Sequence, residues 1–249
     1  MFSQKIMNLA IDIGNTRTKL GIFNQSNLSK VMTFENTKEI SITEIVSRFD
    51  SETSELKAII SSTIEIPTYL FNEFEKINQH LILDADTKLP FQNKYATKDT
   101  LGKDRLALIA AAQAQFPNQN NLVIGCGTCI TFNFINDKNE FLGGSIHPGL
   151  KMRFKAMHTF TGKLPLVELE NKVEMIGNDT KSNLLAGGIY GASKEIDGMI
   201  SDYLVKFPQM NVIITGGDAD LLVSTLKNKI FAFPNFTLIG LNHILNYNA

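Results

Sequence analysis

Apolar runs that end in turns of Gly, Thr and Asn recur three times along the chain. The first is Met7-Asn-Leu-Ala-Ile-Asp12-Ile-Gly14-Asn15-Thr16, followed by Thr18-Lys19-Leu20-Gly21-Ile22-Phe23. β-Formers on both sides of a Gly-Asn turn predict a hairpin. The second run, Leu122 to Thr128 followed by Ile130 to Ile135, repeats the plan about half a chain later. The third, Val212-Ile213-Ile214-Thr215-Gly216-Gly217, leads into a helix-like stretch from Asp218 to Leu226. Asp104 to Phe116 is rich in Ala and Leu without internal Gly or Pro, which predicts a helix stopped by Pro117-Asn118. Apolar spacing predicts a further helix over Asn183 to Val205, with Gly187, Gly188 and Gly191 weakening its first turns. Ala58 to Ser62 and Leu81 to Asp84 predict buried strands.

A strand–glycine turn–strand unit in each half predicts a duplicated architecture, two related α/β lobes facing each other across a cleft. Pro and Asn cluster between Phe116 and Asn121, so the lobes are expected to cover residues 1–117 and 118–249. The 249 residues are 43% hydrophobic and 20% charged, an ordinary globular balance. A net charge of −1 with no run of like charges argues against a nucleic-acid or anionic-membrane partner. Met1 to Leu9 has no basic segment leading into an apolar core, and no apolar run approaches the roughly 18 residues of a membrane span. The expected compartment is the cytoplasm.

Cys126 and Cys129 are the only cysteines. A Cys-x-x-Cys pair suits a redox centre or half a zinc site, but no further Cys or His lies nearby, so they read as small turn residues. The four histidines show no metal spacing. His80 and His243 read as structural or surface residues, His147 as part of a Gly/Pro-rich loop from Gly143 to Gly149, and His158 as part of a helix. No Ser/His/Asp or Cys/His nucleophilic arrangement follows from their spacing.

Asp12 lies in an apolar run, where an ionised carboxylate is costly unless paired. It either faces solvent or caps the turn, or it meets a magnesium–nucleotide complex, since Mg²⁺ favours carboxylate, water and phosphate oxygens. Gly14 to Lys19 then offers close backbone approach, hydroxyl and amide donors, and a positive charge. The spacing matches neither the Gly-x-x-x-x-Gly-Lys-Ser/Thr loop nor Gly-x-Gly-x-x-Gly. Gly127-Thr128 and Thr131 make a second turn of similar composition. Asp104 is either a helix cap or a general base beside an arginine that holds an anionic substrate.

Taken in order, these motifs resemble the type III pantothenate kinases of the sugar kinase–actin–heat-shock ATPase superfamily. The resemblance rests on Asp12 to Lys19, Tyr95, Gly102 to Arg105, Gly143 to Leu150, Thr161 to Pro165, Ile176 to Thr180, Gly187 to Gly191 and Thr215 to Gly217. It implies two actin-like (ribonuclease H-like) lobes with mixed sheets and flanking helices, a nucleotide cleft, and phosphorylation of pantothenate by ATP, the first step of coenzyme A biosynthesis. ATP would meet Asp12, Ile13, Gly14, Asn15, Thr16, Arg17, Thr18, Lys19, Thr128, Gly216 and Gly217, with Mg²⁺ at Asp12 through the nucleotide. Pantothenate would meet Tyr95, Gly102, Lys103, Asp104, Arg105 and Thr180, with Asp104 as general base and Arg105 on the substrate carboxylate. The family is typically dimeric, so a homodimer is expected. One departure stands out: the family's second phosphate motif carries an Asp that binds a monovalent cation, K⁺ or NH₄⁺, where this chain has Gly125. Asn133 stands where a second acid is common. Two alternatives remain open, a kinase for another small alcohol and a catalytically silent nucleotide-binding relative.

Overall fold

The expected first hairpin forms from β1 (Met7–Ile13) and β2 (Arg17–Asn24), paired antiparallel and continued by β3 (Asn27–Glu35). The structure is a computed structural model that describes residues 7–48 and 56–249, so residues 1–6 of the N-terminal segment lie outside the described residues. After α1 (Ile42–Ser47), β4 (Leu56–Ser62) runs parallel beside β1. After α2 (Thr68–Phe74), β5 (Gln79–Ile82) runs parallel beside β4, and the strand order is β3-β2-β1-β4-β5. Residues of alternate parity divide between the two faces. Leu9, Ile11, Ile13, Leu20, Ile22, Ala58 and Ile60 pack with Ile42, Leu70 and Phe74 of the two helices.

The strand expected at Leu81 to Asp84 begins two residues earlier and is exposed or half-buried rather than buried, because β5 is the edge of its sheet. Asp84 instead closes a turn, accepting from the backbone N–H of Asp86 and Thr87 and from the Thr87 hydroxyl. A two-residue strand, β6 (Gln92–Asn93), precedes α3 (Lys103–Gln115), the Ala-rich helix read from the sequence.

The second compact unit, Phe116–Pro234, repeats this connectivity. The hairpin β7 (Asn120–Cys126) and β8 (Cys129–Ile135) is extended antiparallel by β9 (Glu140–Pro148). Next come α4 (Leu150–Thr159), α5 (Thr180–Lys206), β10 (Met210–Thr215), α6 (Ala219–Val223) and β11 (Phe231–Ala232). β10 runs parallel to β7 and β11 parallel to β10, so the order β9-β8-β7-β10-β11 mirrors β3-β2-β1-β4-β5 strand for strand. The duplication expected from the paired turns is real. Segment 143–149, expected as a loop around His147, is largely strand β9, because Gly143 to Pro148 pairs residue by residue with β8. α5 starts three residues before the expected Asn183, since Asp179 and Ser182 close a reciprocal capping box at its head.

The last helix, α7 (Phe236–Tyr247), belongs to the first unit, which comprises Met1–Gln115 and Asn235–Ala249. A single division between residues 117 and 118 misses this return. Its cause is packing between helices of small residues: a Cβ on Gly240 would lie 1.7 Å from the Ala107 carbonyl oxygen, so α7 and α3 approach closely over the fully buried Ala107, Ala110 and Ala111. Asn8 of β1 secures the same helix, donating to Asn242 at 2.8 Å and Asn246 at 2.7 Å.

Candidate active site

Asp12 sits one rung before the end of the β1–β2 ladder, opposite Lys19 on β2 and Ser61 on β4. It is the one residue of β1 that is half-buried rather than buried. Burial pushes its carboxyl up to about 7; Asp104 pushes the same way and Lys19 opposes. Two acids from distant points in the chain therefore share one electrostatic environment within the first unit.

The turn beyond Asp12 is held from outside the hairpin. Gly14 donates its N–H to the Arg17 carbonyl at 3.0 Å, and the Asn36 side chain donates to the Gly14 carbonyl at 2.8 Å. Thr18 spends its hydroxyl on Asn36 at 2.9 Å, and Ile13 points into the core. Asn15, Thr16 and Arg17 are left exposed at the tip, with Lys19 half-buried behind them. Asn36 was not singled out from the sequence, because a bond across 22 residues leaves no local pattern.

Asp104 is the second residue of α3, not its cap. Its carboxylate folds back over Gly102, where a Cβ would lie 2.5 Å from Asp104 Oδ1, so a glycine at 102 is what lets this carboxylate occupy the helix start. Burial raises its carboxyl, against the backbone N–H groups of Arg105 and Asp104 and the Arg105 guanidinium, which lower it. A carboxyl raised by burial beside a cation suits a general base. Arg105 is buried at 4% exposure, its guanidinium carbon 5.6 Å from the centre of the Tyr95 ring. Tyr95 is in turn fixed by its N–H to Asn93 Oδ1 at 3.0 Å. The structure thus brings Asp12, Lys19 and Asp104 into one region and pairs Tyr95 with Arg105. Lys103 lines a neighbouring cavity of about 100 Å³ with Asp84, Lys98, Asp99 and Leu101; neither Asp12 nor Asp104 lines it.

In the second unit Gly125 occupies the rung equivalent to Asp12, opposite Thr131 on β8 and Thr215 on β10. Gly127 donates to the Cys129 carbonyl at 3.0 Å, and Thr128 stands exposed at the tip. Gly216 has φ +111°, and a Cβ there would lie 2.1 Å from the Cys126 carbonyl oxygen, so only glycine lets this loop sit against the turn. Gly217 beside it faces open space, and Thr180 is the exposed first residue of α5. Asn133 is buried and donates to the Val123 carbonyl at 3.2 Å and Thr131 Oγ1 at 3.1 Å, so its amide serves the sheet.

Burial, helped by Asp218, pushes the Cys126 thiol up to about 12. Cys126 shares a rung with Ile130 in the core, and Cys129, one residue before Ile130, leaves the hairpin on the opposite face. The cysteines expected inside the turn instead flank it, Cys126 ending β7 and Cys129 opening β8, with the poorly ionised Cys126 thiol facing away from its partner. Ser145, His147 and Glu195 form a relay that spacing did not reveal: Ser145 Oγ lies 2.7 Å from His147 Nε2, and His147 Nδ1 lies 2.5 Å from Glu195 Oε1. Arg153 holds the other Glu195 oxygen at 2.7 Å. Among the described residues no helix is long and apolar enough to cross a membrane, and no group of three His, Cys, Asp or Glu is placed to hold a metal.

Comparison with known proteins shows the family and the fold. The profile of a family described as "Type III pantothenate kinase" matches residues 8–202. A type III pantothenate kinase from Christiangramia forsetii is 42% identical over 246 residues, covering 97% of this chain and 99% of that protein. Among solved structures, a conserved putative Baf family transcriptional activator from Campylobacter jejuni aligns with TM-score 0.57 at 21% identity, over 96% of this chain and 98% of that one. The ethanolamine utilization protein EutJ from Carboxydothermus hydrogenoformans shares the fold with TM-score 0.52 at 11% identity, over 98% of this chain and 90% of that one.

Proposed function

The chain belongs to the type III pantothenate kinase family, and from that premise we propose that it moves the terminal phosphoryl group of ATP onto the hydroxyl of pantothenate, with Asp104 as general base. The observation that carries the reading is that Asp104 acts electrostatically on Asp12, both carboxyls being raised by burial, with Lys19 acting on Asp12 and Arg105 on Asp104. Phosphoryl transfer asks the protein mainly to position its reactants and neutralise charge, and this inventory supplies both. Asp104 takes the proton from the attacking hydroxyl. Arg105, steadied by Tyr95, holds the substrate carboxylate, with Gly102, Lys103 and Thr180 as further contacts. The exposed amides and side chains of Asn15, Thr16 and Arg17, with Lys19 and Thr128, receive the phosphates, and Gly216-Gly217 receives the nucleoside.

One carboxylate on a half-open rung fits a hydrated Mg²⁺ carried in by the nucleotide, which needs one or two protein carboxylates rather than a cage. Asp12 would hold it, and the ion would neutralise charge developing on the phosphates. The monovalent-cation site does not fit in the same way. Gly125 has no side-chain oxygen and the Asn133 amide is spent within the sheet, so no step is routed through such an ion. A homodimer is the proposed assembly, supported by exposed apolar side chains in the second unit that include Ile146, Phe160 and Ile176, at 61%, 85% and 80% exposure. Light scattering of the purified protein tests it.

The activity is tested by ADP release with and without pantothenate, alongside Asp104→Asn. The expected result is pantothenate-dependent release that falls by about 10²- to 10⁴-fold in the variant, with ATP binding retained. Release from wild type with another alcohol but not with pantothenate would reassign the substrate; wild-type rates in the variant would remove Asp104 from the base role.

A further inference from the structure

Ser61 is fully buried, at 0% exposure, and its hydroxyl has no hydrogen-bond partner among the described residues. A hydroxyl withdrawn from water forfeits a bond it had there, so natural proteins almost always pair such groups. Its neighbours show that partners are available locally. Ser62 Oγ donates to the Ile64 carbonyl at 2.6 Å, and Thr63 Oγ1 donates to the Ile13 carbonyl at 3.3 Å. Of these three consecutive hydroxyls, Ser61 alone is left without one.

Its position says what the donor is for. The parallel β1–β4 register sets Ser61 directly beside Asp12, and the antiparallel β1–β2 register sets Lys19 on the other side. The three side chains stand in one row on one sheet face, with strands about 4.8 Å apart. A second unpaired buried atom, Asn8 Oδ1, lies on the same face, but its amide nitrogen is already bonded to α7 at Asn242 and Asn246. Ser61 has no such structural employment.

We propose that Ser61 is a positioning residue for Asp12: in the nucleotide-bound enzyme its hydroxyl donates to one oxygen of the Asp12 carboxylate and leaves the other facing the hydrated magnesium of the nucleotide. An isolated carboxylate swings about its terminal bond, whereas one held by a donor on the adjacent strand presents a single oxygen in a set direction. The role rests on the kinase reading given above. It adds a residue that the phosphate and substrate motifs do not contain.

Ser61→Ala separates this role from a structural one, because deleting an unpaired buried hydroxyl relieves the ligand-free protein instead of weakening it. Expected are a ligand-free melting temperature equal to or above wild type and a smaller rise in that temperature on adding Mg-ATP without pantothenate. The value of kcat should fall about 10- to 100-fold, while KM for pantothenate stays within roughly twofold. Ser61→Cys, which fills the same space with a weak donor, is expected to resemble the alanine variant. A lower melting temperature with unchanged kcat would make the hydroxyl structural, unchanged kinetics with any melting temperature would leave it without a role, and full activity in Ser61→Cys would make it a space-filler. Each of these overturns the proposal. Should wild type turn over no pantothenate, the kinase reading fails by itself, and the Mg-ATP melting shift still judges Ser61.

Discussion

The two glycine turns occupy the same place in duplicated sheets and carry different chemistry. In the first unit the rung before the turn reads Lys19–Asp12–Ser61 across β2, β1 and β4; in the second it reads Thr131–Gly125–Thr215 across β8, β7 and β10. The last ladder pair of the first hairpin, Ile13 with Thr18, encloses Gly14 to Arg17, whereas that of the second, Cys126 with Ile130, encloses only Gly127 to Cys129. The longer turn exposes three polar side chains and is braced by Asn36. The shorter one presents Thr128 and is packed by Gly216, whose missing side chain permits the approach. The duplicated sheets therefore share the strand–turn–strand device, and the acid stands in only one copy. A fold constrains where a rung lies, not what stands on it.

The largest expected effect tests the acid that is present. Asp12→Asn should lower turnover by about 10²-fold or more, since it removes the charge that the proposed function assigns to the nucleotide's cation. The same variant has a readout in stability. The Asp12 carboxyl titrates near 7 when folded against a reference of 3.8, so the folded state holds its proton more tightly. The associated stability is fully present below pH 3.8 and is lost as pH rises towards 7, by about 1–4 kcal/mol. Urea melts of ligand-free wild type should thus show a loss between about pH 4 and pH 7, level above that, which Asp12→Asn lacks. Equal pH dependence in both proteins would place the titration elsewhere.

Restoring the missing acid tests the other copy. Wild type is expected to respond weakly to K⁺ or NH₄⁺, and Gly125→Asp to gain a dependence of several-fold, about 1 kcal/mol, read as rate against cation concentration. Strong dependence in wild type would show that backbone carbonyls already supply the ion's ligands. The smallest effect belongs to the cysteines. Cys129→Ser should leave activity and its sensitivity to oxidants unchanged, because the Cys126 thiol is buried and the two side chains leave opposite faces of the hairpin. Inactivation by oxidant that vanishes in this variant would revive a redox role.

Local chemistry made much of this protein readable. Alternating apolar runs around Gly-Asn and Gly-Thr announced both hairpins, and an Ala-rich stretch closed by Pro117 announced α3, because turn geometry and helix propensity are properties of neighbouring residues. The edge strand β5 and the strand character of β9 were less legible, since pairing depends on a partner elsewhere in the chain.

The sequence by itself determined the family, the duplicated α/β plan and the short segments in which the acids and glycines of the candidate site lie. Only the tertiary structure decided that Asp12 and Asp104 share one environment, that Asn36 braces a turn 22 residues away, that Gly240 draws the last helix back to the first unit, and that Ser61 stands buried and unpaired beside Asp12. The reason is physical. Propensities and turn preferences act over a few residues, whereas burial, electrostatic coupling and the pairing of polar groups arise only when distant segments are packed together.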